Sequence, residues 1–223
     1  MQNVIRTQSR WIALVLSLLL LGPAVRAGHG DHLEVPDSVL SMYDFAVDYE
    51  YAVRKVLLAD REVSIPAGLV CTPSLSLEWA LLIHEPGPDL GKVEYIVAES
   101  PIWTAEDRLS VSANARSAEL PAALAKRVAD AWEQMLRGVR PASAHDGVRL
   151  DGATYHFWGW GIDGGGIVAG SIWSPPRKSP AGQLVKLAYA LREYVLASDE
   201  ERKKSLSEIN KSLDGLSESL KAN

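Results

Sequence analysis

Thr154-Tyr155-His156-Phe157-Trp158-Gly159-Trp160, then Gly164-Gly165-Gly166, then Ile167-Val168-Ala169-Gly170-Ser171-Ile172-Trp173: this stretch decides how the chain reads. Two runs of aromatic and branched residues flank a glycine-rich turn, the pattern of a β-hairpin. Four large rings and a histidine fall within the first run, so any core or site is expected to include it. With the glycine run as the tip, one register sets Trp158 opposite Gly170, a ring laid over a bare backbone. His156, Trp158 and Trp160 then share a face with Val168, Gly170 and Ile172. Tyr155 and Phe157 share the other with Ala169 and Trp173. A slip of one residue exchanges these partners.

Working outward, the next strands are read from alternation. Leu75, Leu77, Trp79, Leu81 and Ile83 alternate with Ser74, Ser76, Glu78, Ala80, Leu82 and His84, which predicts a strand with one strongly apolar face. Lys92 to Glu99 repeats the pattern with Val93, Tyr95 and Val97. Ser64 to Thr72 reads as a strand that Pro66 assigns to an edge. Leu109 to Ser117 is a weaker one. Glu85 to Gly91 is a loop by its proline and glycine content.

Between and around these strands lie helical periods. Pro36 to Leu58 carries a partial stripe through Val39, Leu40, Tyr43, Val47, Tyr51 and Leu58. Leu120 to Arg140 has Leu120, Leu124, Val128, Ala131, Trp132, Met135, Leu136 and Val139 at spacings of three and four. Ser179 caps a helix that starts at Pro180, with Leu184, Leu187, Ala188, Leu191, Tyr194 and Val195 on its apolar side. Ser198-Asp199-Glu200-Glu201 spells a capping box. Leu206, Ile209, Leu213, Leu216 and Leu220 follow as a short seam, which either packs on its own domain or pairs with another chain.

These elements predict an α+β fold: an antiparallel sheet of about five strands, packed by amphipathic helices in two layers, with a C-terminal amphipathic tail helix. The expected organisation is a signal peptide over 1–27, a flexible mature N-terminus over 28–35, one α+β domain over 36–197 and the helical tail over 198–223. Arg6 and Arg10 precede the apolar run Trp11 to Leu21, Gly22-Pro23 ends it, and Val25-Arg26-Ala27 offers a cleavage site. That run is well short of the ~20 residues that span a bilayer. The expected location is therefore secreted or periplasmic, with no stable membrane insertion after cleavage.

The chain has a formal charge of −5 and 47% hydrophobic residues. Loss of residues 1–27 removes three arginines and no acid, so the mature charge would be −8. An acidic domain does not suit nucleic acid, whose phosphates require a basic face. Cys71 is the only cysteine, so no internal disulfide forms, and its apolar neighbours Leu69 and Val70 favour a buried thiol over a nucleophile. His29, Asp31 and His32 sit near a chain end, which does not fix the four ligands of a closed metal site. No metal or cofactor is expected.

No catalytic motif survives inspection of context. The glycines of 159–166 do not open a helix, as a phosphate-binding loop must. There is neither a nucleophile elbow nor a zinc helix. The best constellation is His156 with Glu78 and Glu99, a base and an acid if their faces meet at a cleft. Tyr155, His156, Trp158 and Trp160 are the candidate ligand-binding residues. Two function classes follow. The first, favoured because no spacing fixes a nucleophile, a metal or an oxyanion hole, is a non-catalytic exported binding or interaction module that uses hairpin 153–173 on a small molecule, envelope polymer or protein. The second is a small periplasmic hydrolase using His156 with Glu78 or Glu99. Self-association through 199–223 is a further possibility.

Overall fold

A computed structural model describes residues 30–36, 44–59, 65, 67–84, 87–141, 151–160 and 166–221. The expected leader, His29, most of 36–43, Pro66 and the glycine turn at 161–165 lie outside these residues. Four strands form a meander: β1 (Ala67–Pro73), β2 (Trp79–Ile83), β3 (Leu90–Ala98) and β4 (Ala113–Pro121). The hairpin strands β5 (Ala153–Trp160) and β6 (Ile167–Trp173) join it by pairing β5 with β1. The result is one six-stranded antiparallel sheet in the order β4-β3-β2-β1-β5-β6. The α+β class holds, with six strands where about five were expected.

β1 is interior, not an edge, because its ladder begins at Ala67, after the proline. Alternation sorts its residues cleanly. Leu69 and Cys71 enter a large core with Trp79, Leu81, Ile83, Tyr95, Tyr155 and Phe157. Val70 enters a smaller core on the opposite face with Ala80, Leu82, Ile96 and Trp158. β2 is consequently buried on both faces, although the sequence pattern gave it only one apolar side. Its expected first half, Ser74 to Ser76, is a bend. β4 starts four residues later than the predicted strand. Arg108–Ser110 forms a 3-10 turn capped by Asp107 instead, and Ala118 and Leu120 supply the buried positions.

Helix α1 (Asp44–Leu58) covers the smaller core through Ala52, Val53, Leu57 and Leu58. Tyr51, expected on the buried stripe, is 54% exposed. Helices α2 (Ala122–Arg137), α3 (Pro180–Leu196) and α4 (Asp199–Lys221) cover the larger face. The Ser179 cap forms as read, and the capping box forms in its Glu201 half. The Ser179 hydroxyl accepts from the Gly182 N–H at 3.1 Å, and Glu201 accepts from the Ser198 N–H and hydroxyl. The tail seam is used inside the chain. Ile209, Leu213 and Leu216 are buried in the same core as α2 and α3, and Arg127 reaches Asn210 and Asp214. At about 1.5–3 kcal/mol per fully buried side chain, those three represent a large share of a domain's stability. No helix among the described residues is long and apolar enough to cross a membrane.

Residues 30–36 depart from the expected loose end. Leu33 is fully buried. Glu34 exchanges two backbone hydrogen bonds of 2.7 Å with Ser171 on the outer edge of β6. Val35 and Leu33 bond Arg140, just beyond α2. The strap thus closes part of an edge that would otherwise offer free N–H and C=O groups.

The hairpin register is the slipped one. Phe157, not Trp158, faces Gly170, and Trp158 faces Ala169. The ring-over-glycine contact exists, but its glycine is Gly68 of β1. A β-carbon at Gly68 would lie 2.1 Å from the Trp158 ring. The Gly68 carbonyl also accepts from the Trp132 indole N–H at 3.2 Å. Gly68→Ala is expected to cost about 1–3 kcal/mol through overpacking, read as a lower urea midpoint. Gly138→Ala, where the new carbon would meet nothing closer than 3.5 Å, is the control and should cost far less.

Candidate functional site

Strand alternation divides the expected ligand residues between two faces. Tyr155 points into the large core side, while His156 and Trp158 point to the α1 side. Trp158 is spent on Gly68 and is buried. Trp160 is 45% exposed and donates its indole N–H to the Ile65 carbonyl at 3.2 Å. Half-buried His156 shares a hollow of only about 10 Å³ with Glu50, Val53, Arg54, Val70 and Thr72, scarcely room for one water. The four residues do not line a common cavity.

Nor do the expected catalytic partners meet. Glu78 is buried, and its carboxylate accepts three hydrogen bonds: from the Tyr49 hydroxyl (2.8 Å), the Ile102 N–H (3.0 Å) and the Trp103 N–H (3.1 Å). It pins the segment after β3 to α1. Burial and the adjoining Glu78 carboxylate push the Tyr49 hydroxyl well above its usual range. Glu99 is exposed and accepts from Asn114 at 2.8 Å. Two strand spacings of about 4.8 Å separate the backbones of β2 and β5, and the His156 hollow includes neither glutamate.

A larger cavity, of about 560 Å³, opens at the other end of the hairpin. Tyr155, Ser174, Pro175, Arg177, Gly182, Val185, Lys186 and Tyr189 line it. The turn after β6 builds one wall. Ser174 takes φ +36°, a conformation costly for a residue with a side chain. Its hydroxyl accepts from the Ala153 N–H at 3.0 Å. α3 closes tightly on this turn. A β-carbon at Gly182 would lie 2.0 Å from the Pro176 carbonyl oxygen, and the Gln183 amide donates to the Arg177 carbonyl at 2.8 Å.

The floor is aromatic. The hydroxyls of Tyr155 and Tyr189 are 3.2 Å apart. The Tyr189 ring meets Trp79 edge-on at 5.5 Å, and the Arg192 guanidinium lies over Trp79, Tyr95 and Tyr189 at 5.8, 5.3 and 5.8 Å. Burial, with the Tyr189 hydroxyl next, pushes the Tyr155 hydroxyl above its usual range, so it stays neutral. The charged side chains of the lining are Arg177 and Lys186, both cationic, in a chain of net charge −5. Such a lining is complementary to an anionic group on an apolar or ring-shaped body.

Of this lining, only Tyr155 was singled out from sequence. Val185 and Tyr189 flank the apolar stripe of α3, and Gly182 with Lys186 continues the same side of the helix. That second stripe was the available signal. Among the described residues no group of three or more His, Cys, Asp or Glu side chains is placed to hold a metal ion. No known protein family, curated protein or solved structure matches this chain.

Two predictions follow from the buried polar groups. Glu78→Ala strands two backbone donors and should cost roughly 2–4 kcal/mol, whereas Tyr49→Phe removes one bond and should cost about 1 kcal/mol, both measured by urea unfolding. Cys71 is fully buried, and burial raises its thiol well above the usual range, as it raises the Tyr155 hydroxyl. Both groups remain protonated in the fold where the unfolded chain ionises, near pH 8.5 for the thiol and about pH 10 for the phenol. Their contribution is complete below about pH 8 and declines as pH rises through this range. The urea midpoint should fall between pH 8 and 10.5, and Cys71→Ala should flatten the first part of that fall.

Proposed function

We propose that this protein is an exported, non-catalytic module that binds a small molecule in the cavity at the base of hairpin 153–173. The observation that carries the reading is the 560 Å³ hollow with Tyr155 and Tyr189 as its floor and Arg177 and Lys186 at its rim. Tyrosines give a ligand a broad face at little conformational cost, and two cations select an anionic group. The leader-like pattern of residues 1–27 supports export, to the periplasm or beyond. A hydrolase using His156 with Glu78 or Glu99 has less support, since Glu78 is committed to three donors and Glu99 to Asn114.

The test uses 1-anilinonaphthalene-8-sulfonate, an anion with a ring body, as the probe. It should bind the folded protein saturably at one site. The pair Arg177→Glu and Lys186→Glu should weaken binding by about tenfold or more, with an unchanged circular dichroism spectrum. His156→Ala should leave it unaltered. Absent binding, or binding indifferent to the charge reversal, would overturn the proposal.

A further inference from the structure

The hollow does not stop at Tyr189. Lys186 and Tyr189 also line a second trough, of about 620 Å³, between α3 and α4. Along α3 and its C-cap the two cavities use Gly182, Lys186, Tyr189, Glu193 and Ala197, spaced four, three, four and four apart. That spacing is a single stripe along one side of a helix. The two cavities adjoin at Lys186 and Tyr189, and their linings together follow α3 from the hairpin to the turn before α4. At 1.5 Å per helical residue the stripe is about 22 Å long.

The two halves differ in charge. Arg177 and Lys186 stand at the hairpin end, while Glu193, Glu201 and Glu208 line the far half, with Lys204 among them. All six of these side chains belong to exposed residues. In the middle lies the Tyr189 ring, held in place by Trp79, Tyr155 and Arg192.

We infer that the natural occupant is a short peptide-like chain, held extended along α3 with its free carboxylate at Arg177 and Lys186 and a cationic group toward Glu193 and Glu208. The inference rests on the binding-module reading above and adds the class of ligand. At about 3.3 Å per extended residue, 22 Å accommodates six or seven residues. A polyphosphate or nucleic acid would bring negative charge against three carboxylates. A neutral sugar would cover charged groups at both ends without pairing them. A dipolar chain complements both ends, and its central side chains meet the Tyr189 ring and the small residues Ala190 and Ala197.

The experiment is calorimetric titration of the full chain with the hexapeptide KAAAAF bearing a free C-terminus. It should bind one to one. Amidating the C-terminus, or replacing the peptide's lysine by glutamate to give EAAAAF, should each weaken binding about fivefold, the scale of one exposed charge pair. Glu208→Lys, at an exposed position, should reverse the preference in favour of EAAAAF. Equal binding of all three peptides, or none by any, would overturn the inference. The sulfonate probe separates the two failures. If it still binds and responds to Arg177 and Lys186, the hollow is a ligand site and only the peptide assignment falls. If it does not, the binding reading falls as well.

Discussion

The indole of Trp158 lying on Gly68 is the contact from which the rest of the architecture follows. It sits where two separately built units meet, the β1–β4 meander and the β5–β6 hairpin. No turn links β1 to β5, so nothing local fixes their alignment. A ring that fits over only a bare α-carbon does fix it. With Trp158 opposite Gly68, the ladder runs from Ala67 with Gly159 to Pro73 with Ala153. Trp132 of α2 then reaches the same glycine's carbonyl, which ties the first large-face helix to the junction.

That alignment also sets which side chains face which core. Tyr155 and Phe157 turn toward α2 and α3, and His156 and Trp158 toward α1. The chemistry divides accordingly. On the α1 side, the polar groups are taken up in holding elements together, as Glu78 does with Tyr49, Ile102 and Trp103. On the α3 side, the aromatic row of Tyr155, Trp79 and Tyr95 runs under a helix whose flank stays open to solvent, and Tyr189 and Arg192 finish it. A hollow of about 560 Å³ opens on that side at the base of the hairpin, whereas the hollow that His156 shares with α1 holds only about 10 Å³.

Most elements were legible because periodicity is a local property. Alternation in Trp79 to Ile83 and spacing in Leu124 to Leu136 belong to the chain itself, as do the caps at Ser179 and Ser198. What failed was partnership. The sequence pairs Trp158 equally well with Gly170 or with a glycine ninety residues away, and only three dimensions choose Gly68. Likewise, the pattern in 74–84 cannot show that α1 will bury Ala80 and Leu82. The candidate site was legible in one residue, Tyr155. Its other components come from a turn and a helix whose charged residues look like ordinary solvated surface until the fold sets them around one hollow.

The strap at Leu33 and Glu34 has a temporal side. A ribosome makes Glu34 first, while its partner Ser171 lies more than a hundred residues downstream. The piece that seals the last strand is thus among the earliest synthesised and the latest to find its seat. Until then the nascent molecule keeps an open β6 margin, the kind of surface on which neighbouring chains zip together. Escort by a holding chaperone would matter most in that interval.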